Sequence, residues 1–350
     1  MKALFFTPHE PQSGHLREIP LAPWNGNSLR VQMLAVGICG TDKELLKGTY
    51  GWAPPGESEL ILGHESLGRV LQAPPESGWK PGDYVVGIVR HPDPVPCSNC
   101  AIGEWDMCRN GQYQEHGIKE LHGFCREYYD LDPDMAVKVD SSLGELGVLL
   151  EPASIVAKAW EHIEEIGARA LFQPHVVVIT GAGPIGLLAA LMARQRNLDV
   201  HVLDRVIDGP KVDAVKALGI KYHSDLSQLS DLKNHIDIVV ECTGADSLVL
   251  EMMEYGGPNS VICLAGVSSG GRSVKIDLGM LNRELVLENE AVFGSVNANL
   301  RHYQKAAQSL KNASPDWLRR LITRRIPLSR WQEAFEPSPN QIKTIIVGET

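Results

Sequence analysis

Val176-Val177-Val178-Ile179-Thr180 runs straight into Gly181-Ala182-Gly183-Pro184-Ile185-Gly186, and apolar residues continue to Ala193. The stretch approaches membrane-spanning length, but three glycines and a proline interrupt it, so it reads as strand, tight turn and helix. Glycines at 181, 183 and 186 permit the turn and a close backbone approach. The helix amino terminus then offers free N–H groups and the positive end of its dipole to a pyrophosphate. In this strand-to-helix context the pattern is a dinucleotide-binding fingerprint.

Outward from that point the rhythm repeats. A helix over 185–196, a strand over 200–204, a helix over 211–218, and further strands over 236–241 and 260–266 predict a parallel sheet with helices on both faces. Asp204 ends the second strand, where a carboxylate accepts hydrogen bonds from ribose hydroxyls and repels a 2′-phosphate. Arg205 beside it would pair with that phosphate. NAD is therefore favoured and NADP left open. The first 150 residues are different: short runs over 28–36, 65–71 and 84–89 between Pro and Gly signals predict a β-rich domain. The tail reads as helices over 302–321 and a closing strand over 344–347. It lacks the strand-helix alternation and is expected to return to the first domain, giving a discontinuous domain of 1–158 with 297–350 around a nucleotide-binding domain of 159–296.

A chain of 350 residues with 43% hydrophobic and 22% charged residues has the composition of a two-domain soluble protein. Its net charge of −10 argues against nucleic acid or an anionic membrane as partner. The apolar run before Thr7 is too short for a signal-peptide core. Seven cysteines are an odd number, and four of them (Cys39, Cys97, Cys100, Cys108) stand near His, Asp and Glu, so reduced thiols and a cytoplasmic location are expected.

Cys39 lies in Gly37-Ile38-Cys39-Gly40-Thr41-Asp42, His64 in Gly63-His64-Glu65, and three cysteines follow as Cys97-x2-Cys100-x7-Cys108. With the glycine fingerprint downstream, this order, spacing and context resemble the zinc-containing medium-chain alcohol dehydrogenases over nearly the whole chain. The resemblance implies an α/β protein: a β-rich GroES-like catalytic domain plus a Rossmann domain with a doubly wound parallel sheet. It also implies that Cys39 and His64 ligate a catalytic zinc, with Glu151 of Leu150-Glu151-Pro152 as third protein ligand and Glu65 as an alternate. One Cys, one His and one carboxylate leave a coordination position open for a substrate hydroxyl, whose proton the Lewis acid makes easier to lose. Thr41 would accept that proton. Where relatives carry a relay histidine this chain has Lys43 and Glu44, which leaves the exit route open.

The three-cysteine cluster lacks the fourth thiolate of the family's structural zinc lobe. Asp93 is the expected substitute and His91 a weaker one; an empty, packed loop is the alternative. Cys125, Cys242 and Cys263 are expected to pack.

Within the family the chain resembles the glucose 1-dehydrogenases, through Glu115-His116-Gly117-Ile118, Leu150-Glu151-Pro152 and Ala291-Val292-Phe293-Gly294-Ser295-Val296-Asn297. That likeness implies hydride transfer from C1 of an aldose to NAD or NADP, giving a lactone. Ser295 and Asn297 would lie beside the cofactor, and Glu115 and Asn297 would bond sugar hydroxyls. Ile155 replaces an acidic sugar contact of some relatives. Polyol or threonine dehydrogenases share the metal residues, and zinc-free relatives without catalysis form a third class, but those lose ligands that this chain keeps. Relatives form dimers or tetramers, so a homo-oligomer is expected.

Overall fold

A computed structural model describes residues 1–268 and 273–349, which divide into two compact units: 1–154 with 297–349, and 155–296. The first crossing falls at 154/155, inside the helix Leu150–Gly167, rather than at 158/159.

The first unit is organised by the strand Leu29–Gly37, whose residues are nearly all buried. It pairs antiparallel with Glu65–Gln72, Tyr128–Leu131 and Lys343–Val347. The seven-stranded sheet runs Ala136–Val139, Tyr84–Gly87, Glu65–Gln72, Leu29–Gly37, Lys343–Val347, Ile322–Pro327, with Tyr128–Leu131 beside Leu29–Gly37. Leu4, Phe6, Val31, Val36, Val85 and Phe124 belong to its apolar core, where each fully buried side chain of this kind is worth about 1.5–3 kcal/mol. The register brings Gly37 opposite both Glu65 and Ile345, and Ile38 N donates to Thr344 O at 3.0 Å. Three segments distant in sequence therefore end at one place, immediately before Cys39.

The expected helical tail is two helices, Leu300–Lys311 and Pro315–Leu321. Pro315 begins the second because its ring cannot continue the first. The strand Ile322–Pro327 was not foreseen. Its Thr323-Arg324-Arg325 interior hides the pattern, yet it lies parallel to Lys343–Val347.

The second unit is a six-stranded parallel sheet in the order Lys221–His223, Asp199–Leu203, Val176–Thr180, Ile236–Glu241, Gly256–Leu264, Ala291–Gly294. Val176–Thr180 and Ile236–Glu241 fall where the sequence places them; the next strand starts four residues early, at Gly256 rather than Ser260. The chain builds outward on one side of Val176–Thr180 and then crosses to the other at Ile236. The crevice of such a sheet lies at the carboxyl ends of the two strands flanking that reversal, here at Gly181 and Cys242. Among the described residues no helix is long and apolar enough to cross a membrane.

Candidate active site

Cys39 is the residue before the helix Gly40–Leu46, and its N–H donates to Asp42 Oδ2 at 2.8 Å. The other oxygen of Asp42 lies 3.2 Å from His64 Nδ1. Asp42 is fully buried, so one carboxylate fixes both the Cys39 backbone and the His64 ring. Holding Nδ1 leaves Nε2 as the ligand atom, the arrangement by which carboxylates orient metal-binding imidazoles. Burial opposes a charged His64 ring, but the Asp42 carboxylate outweighs it and raises the imidazole well above its ordinary range.

Ligand atoms of Cys39, His64 and Glu65 lie within 4.8 Å of one another. Glu65 is also ion-paired with Lys343, a fully buried ammonium supplied by the last strand. Gly37 leaves the space for this: a Cβ there would stand 2.0 Å from Glu65 Oε2. Glu151, in the first turn of the helix Leu150–Gly167, stands outside that trio but within its field. Burial first, and Glu65 second, push its carboxyl up to about 8, while His64 and Lys343 pull the other way. Glu65 is answered by Lys343 and Asp42 by His64, which leaves the Glu151 carboxyl holding a proton that a metal ion would displace. Thiolate, imidazole and carboxylate are zinc donors, and a divalent cation would relieve the repulsion that raises Glu151, so the residues fit the metal. Thr41 Oγ1 is 4.0 Å from Cys39 Sγ, within the same cluster. Glu44 is tied to Thr49 Oγ1 at 3.0 Å and to Lys47, while Lys43 is partly exposed.

Cys97, Cys100 and Cys108 form the second trio, also within 4.8 Å. Asp93 is buried but does not join it. Its Oδ1 accepts from Val95 N at 2.8 Å and its Oδ2 from Asn110 Nδ2 at 2.8 Å, so the carboxylate holds the loop rather than facing the thiols. His91 packs edge-on against His116 at 4.8 Å, and burial lowers its ring to about 4. Among the described residues no fourth His, Cys, Asp or Glu completes this set. Cys125 and Cys263 are buried and Cys242 is half-buried, its Sγ 3.6 Å from Val240 O.

In the second unit Gly181 adopts φ +88°, and a Cβ at Gly186 would strike Gly181 O at 1.8 Å. Both glycines are required by the turn. Pro184 and Ile185 open the helix Pro184–Gln195, and a Cβ at Gly183 would meet nothing within 4 Å, leaving room for a ligand's close approach. Asp204 differs from the expectation of a free ribose acceptor. Its Oδ2 accepts from Ala182 N at 2.7 Å and Lys211 Nζ at 3.2 Å, and its Oδ1 from Val206 N at 3.2 Å. Arg205 beside it is exposed. Ser295 is buried just past the last strand of the sheet, with its N–H on Leu264 O at 3.0 Å.

Residues 25–141 match the alcohol dehydrogenase GroES-like domain, and residues 144–347 match the glucose dehydrogenase C-terminus. The chain belongs to the glucose dehydrogenase family. It is 38% identical to glucose 1-dehydrogenase of Thermoproteus tenax over all of both chains. With glucose 1-dehydrogenase of Methanocella arvoryzae the identity is 35%, over 99% of each. Among solved structures, Haloferax mediterranei glucose dehydrogenase in complex with NADP, Zn and gluconolactone superposes with a TM-score of 0.91, at 31% identity and over all of both chains.

Three residues at these sites had no role assigned from sequence. Asp42 lies inside the quoted Cys39 motif, three residues after the cysteine, and that spacing at a helix start was the available signal. Lys343 and the buried Glu241 had none. Glu241 Oε1 accepts from Thr180 Oγ1 at 3.0 Å and Thr243 N at 2.7 Å, holding the loop beside Gly181.

Proposed function

We propose that the protein oxidises an aldose at C1, glucose to gluconolactone, passing hydride to a nicotinamide dinucleotide with one zinc at the Cys39 site. The observation that carries this is the cluster of half-buried Cys39 with buried His64, Glu65 and Glu151, ordered by Asp42, in a chain similar over its full length to glucose dehydrogenases. Zinc, when bound, supplies the Lewis acidity that makes the substrate hydroxyl acidic. Cys39, His64 and Glu151 would hold it. Glu65, held by Lys343, would be the alternate carboxylate. Thr41 accepts the hydroxyl proton. Asn297 and Glu115 orient the sugar, and Gly181, Gly183 and Gly186 receive the pyrophosphate.

Both cofactors fit this reading, with NADP preferred. Asp204 is engaged by two backbone N–H groups and Lys211, so its charge is largely answered, and Arg205 is open to a 2′-phosphate. This reverses the leaning toward NAD drawn from Asp204 alone. Initial rates with glucose, galactose, xylose, sorbitol and threonine against NAD and NADP in parallel test both points. Fast sorbitol turnover with none on aldoses refutes the sugar reading, and an NAD preference above about tenfold refutes the charge argument.

The exposed strand edge at Ala291–Gly294, with Leu278, Met280, Val286 and Leu287 exposed on the helix before it, supports a homo-oligomer built on this sheet. Light scattering that returns a monomer's mass refutes it. The free thiols support a cytoplasmic location.

A further inference from the structure

We propose that Arg90 is a positioning residue that decides which oxygen of Glu115 a sugar hydroxyl meets. The role rests on the sugar-oxidation reading above and adds to it a rule of recognition.

Arg90 and Glu115 are register partners on the antiparallel strands Arg90–His91 and Gln114–His116, so their side chains leave the ladder side by side. Arg90 Nε donates to Glu115 Oε1 at 3.0 Å, and Nη1 donates to Asp106 O at 3.1 Å. The guanidinium sits 3.7 Å from the centre of the Tyr113 ring. Carboxylate, carbonyl and ring thus hold it on three sides, and both partners are buried, at 7% exposure for Arg90 and 3% for Glu115. A guanidinium fixed this way is rigid.

Asn297 adds the second restraint. Its Nδ2 donates to the same Oε1 at 2.6 Å, while its Oδ1 accepts from Ala298 N at 2.8 Å. Asn297 reaches this geometry at φ +63°, a left-handed conformation that asparagine tolerates better than most residues. Oε1 therefore receives two donors, and among the described residues Oε2 receives none. Tyr50 lies near enough to Glu115 that burial and this carboxylate together raise its phenol.

A carboxylate with both oxygens open grips a vicinal diol by two bonds. Glu115, with Oε1 occupied, grips through Oε2 alone. Arg90 and Asn297 together make Glu115 a one-oxygen acceptor, Arg90 filling the half of Oε1 that Asn297 leaves open, and recognition at this point concentrates on a single sugar hydroxyl.

The test uses full-length zinc-loaded protein, glucose and its 2-, 3-, 4- and 6-deoxy analogues. In the wild type one analogue loses about 10- to 100-fold in kcat/KM, the scale of a hydrogen bond to a charged group, and the others lose much less. Arg90→Met raises KM for glucose about tenfold with kcat within about threefold, and because Asn297 still holds one side of Oε1 it shrinks the penalty for that one analogue at least about threefold while leaving the other ratios in place. Arg90→Lys keeps the charge but not the fork, and retains part of the discrimination. Melting temperature and zinc content accompany each variant; if Arg90→Met does not fold, Arg90→Lys carries the test, and unchanged discrimination in it overturns the role. Equal losses on glucose and all four analogues show a merely structural ion pair and also overturn it. A wild type that oxidises glucose while failing these tests leaves the sugar reading standing, whereas one that oxidises no aldose removes both.

Discussion

Two clusters of residues with metal-ligating side chains, equal in size, stand in one unit, and they are built in opposite ways. Cys39, His64 and Glu65 sit where three strands end, with His64 and Glu65 buried, and Asp42 and Lys343 behind them are buried too. Cys97, Cys100 and Cys108 sit in and around the short helix Ser98–Ala101 with Cys97 and Cys108 partly exposed, and Asp93, the expected fourth ligand, is spent on the Val95 backbone and Asn110. The first group is held by residues that do not themselves bind metal; the second largely holds itself. Donor count does not separate a reactive centre from a structural clip. What surrounds the donors does, because outer partners fix ligand orientation and ligand charge.

The contrast breaks most sharply at a single thiol. Cys39→Ser removes the zinc and turnover with it, whereas Cys108→Ser keeps turnover and lowers the melting temperature by roughly 2–8 °C, the shift expected for a loss of about 1–2 kcal/mol. Metal content, rate and a thermal scan on both proteins decide the matter, and an equal loss of activity in the two would erase the distinction. One step out, Asp42→Asn weakens zinc binding about 10- to 100-fold by loosening His64. Asp93→Asn, measured by the same chelator competition, leaves zinc affinity within about twofold and costs about 1 kcal/mol of stability through its lost charged acceptor.

A third effect appears only without metal. Burial raises the Glu151 carboxyl to about 8 in the folded chain, above its unfolded value. The folded state then binds the extra proton between the two values, so this group's contribution to stability is full below the unfolded value and is lost as pH rises through about 8. Denaturant midpoints of chelated protein should fall from pH 6 to pH 9, and zinc should flatten the curve; a flat curve for the chelated protein contradicts the pocket's charge balance. The smallest effect concerns Cys97. Hydrogen bonds from the Arg109 and Cys100 backbones lower its thiol to about 6, whereas burial lifts Cys100 to about 11. With the metal removed, alkylation by iodoacetamide should therefore mark Cys97 first and slow as pH drops below about 6. Under limiting chelator this labelling should precede the loss of activity, and the reverse order would place the weaker site at Cys39.

Much of this was legible in the residues. The strand Val176–Thr180, its glycines and the alternation after it give the parallel sheet because period and turn chemistry are local properties. The Cys39, His64 and Glu151 contexts were legible through family likeness, and the structure adds that Glu65, not Glu151, completes the tightest trio. Asp204 shows the limit: its position at a strand end could be read, but not that Ala182 and Lys211 already occupy it. Asp93 fails the same way, since a carboxylate's partners depend on loop geometry. Lys343 and Arg90 were silent because their meaning lies in the sheets: Arg90 is the register partner of Glu115, whereas Lys343 reaches Glu65 across the intervening strand Leu29–Gly37, and a one-residue slip would turn either side chain to the opposite face.

Lys343 meets Glu65 across 278 positions of sequence. The ribosome must therefore add 278 residues after Glu65 before the ammonium that pairs with it exists. Contacts of such separation are also slow to close after synthesis, because the loop entropy must be overcome before the contact contributes. The pocket is completed late, and a nascent chain that has already gathered Cys39 and His64 still carries an unbalanced carboxylate until its last strand docks.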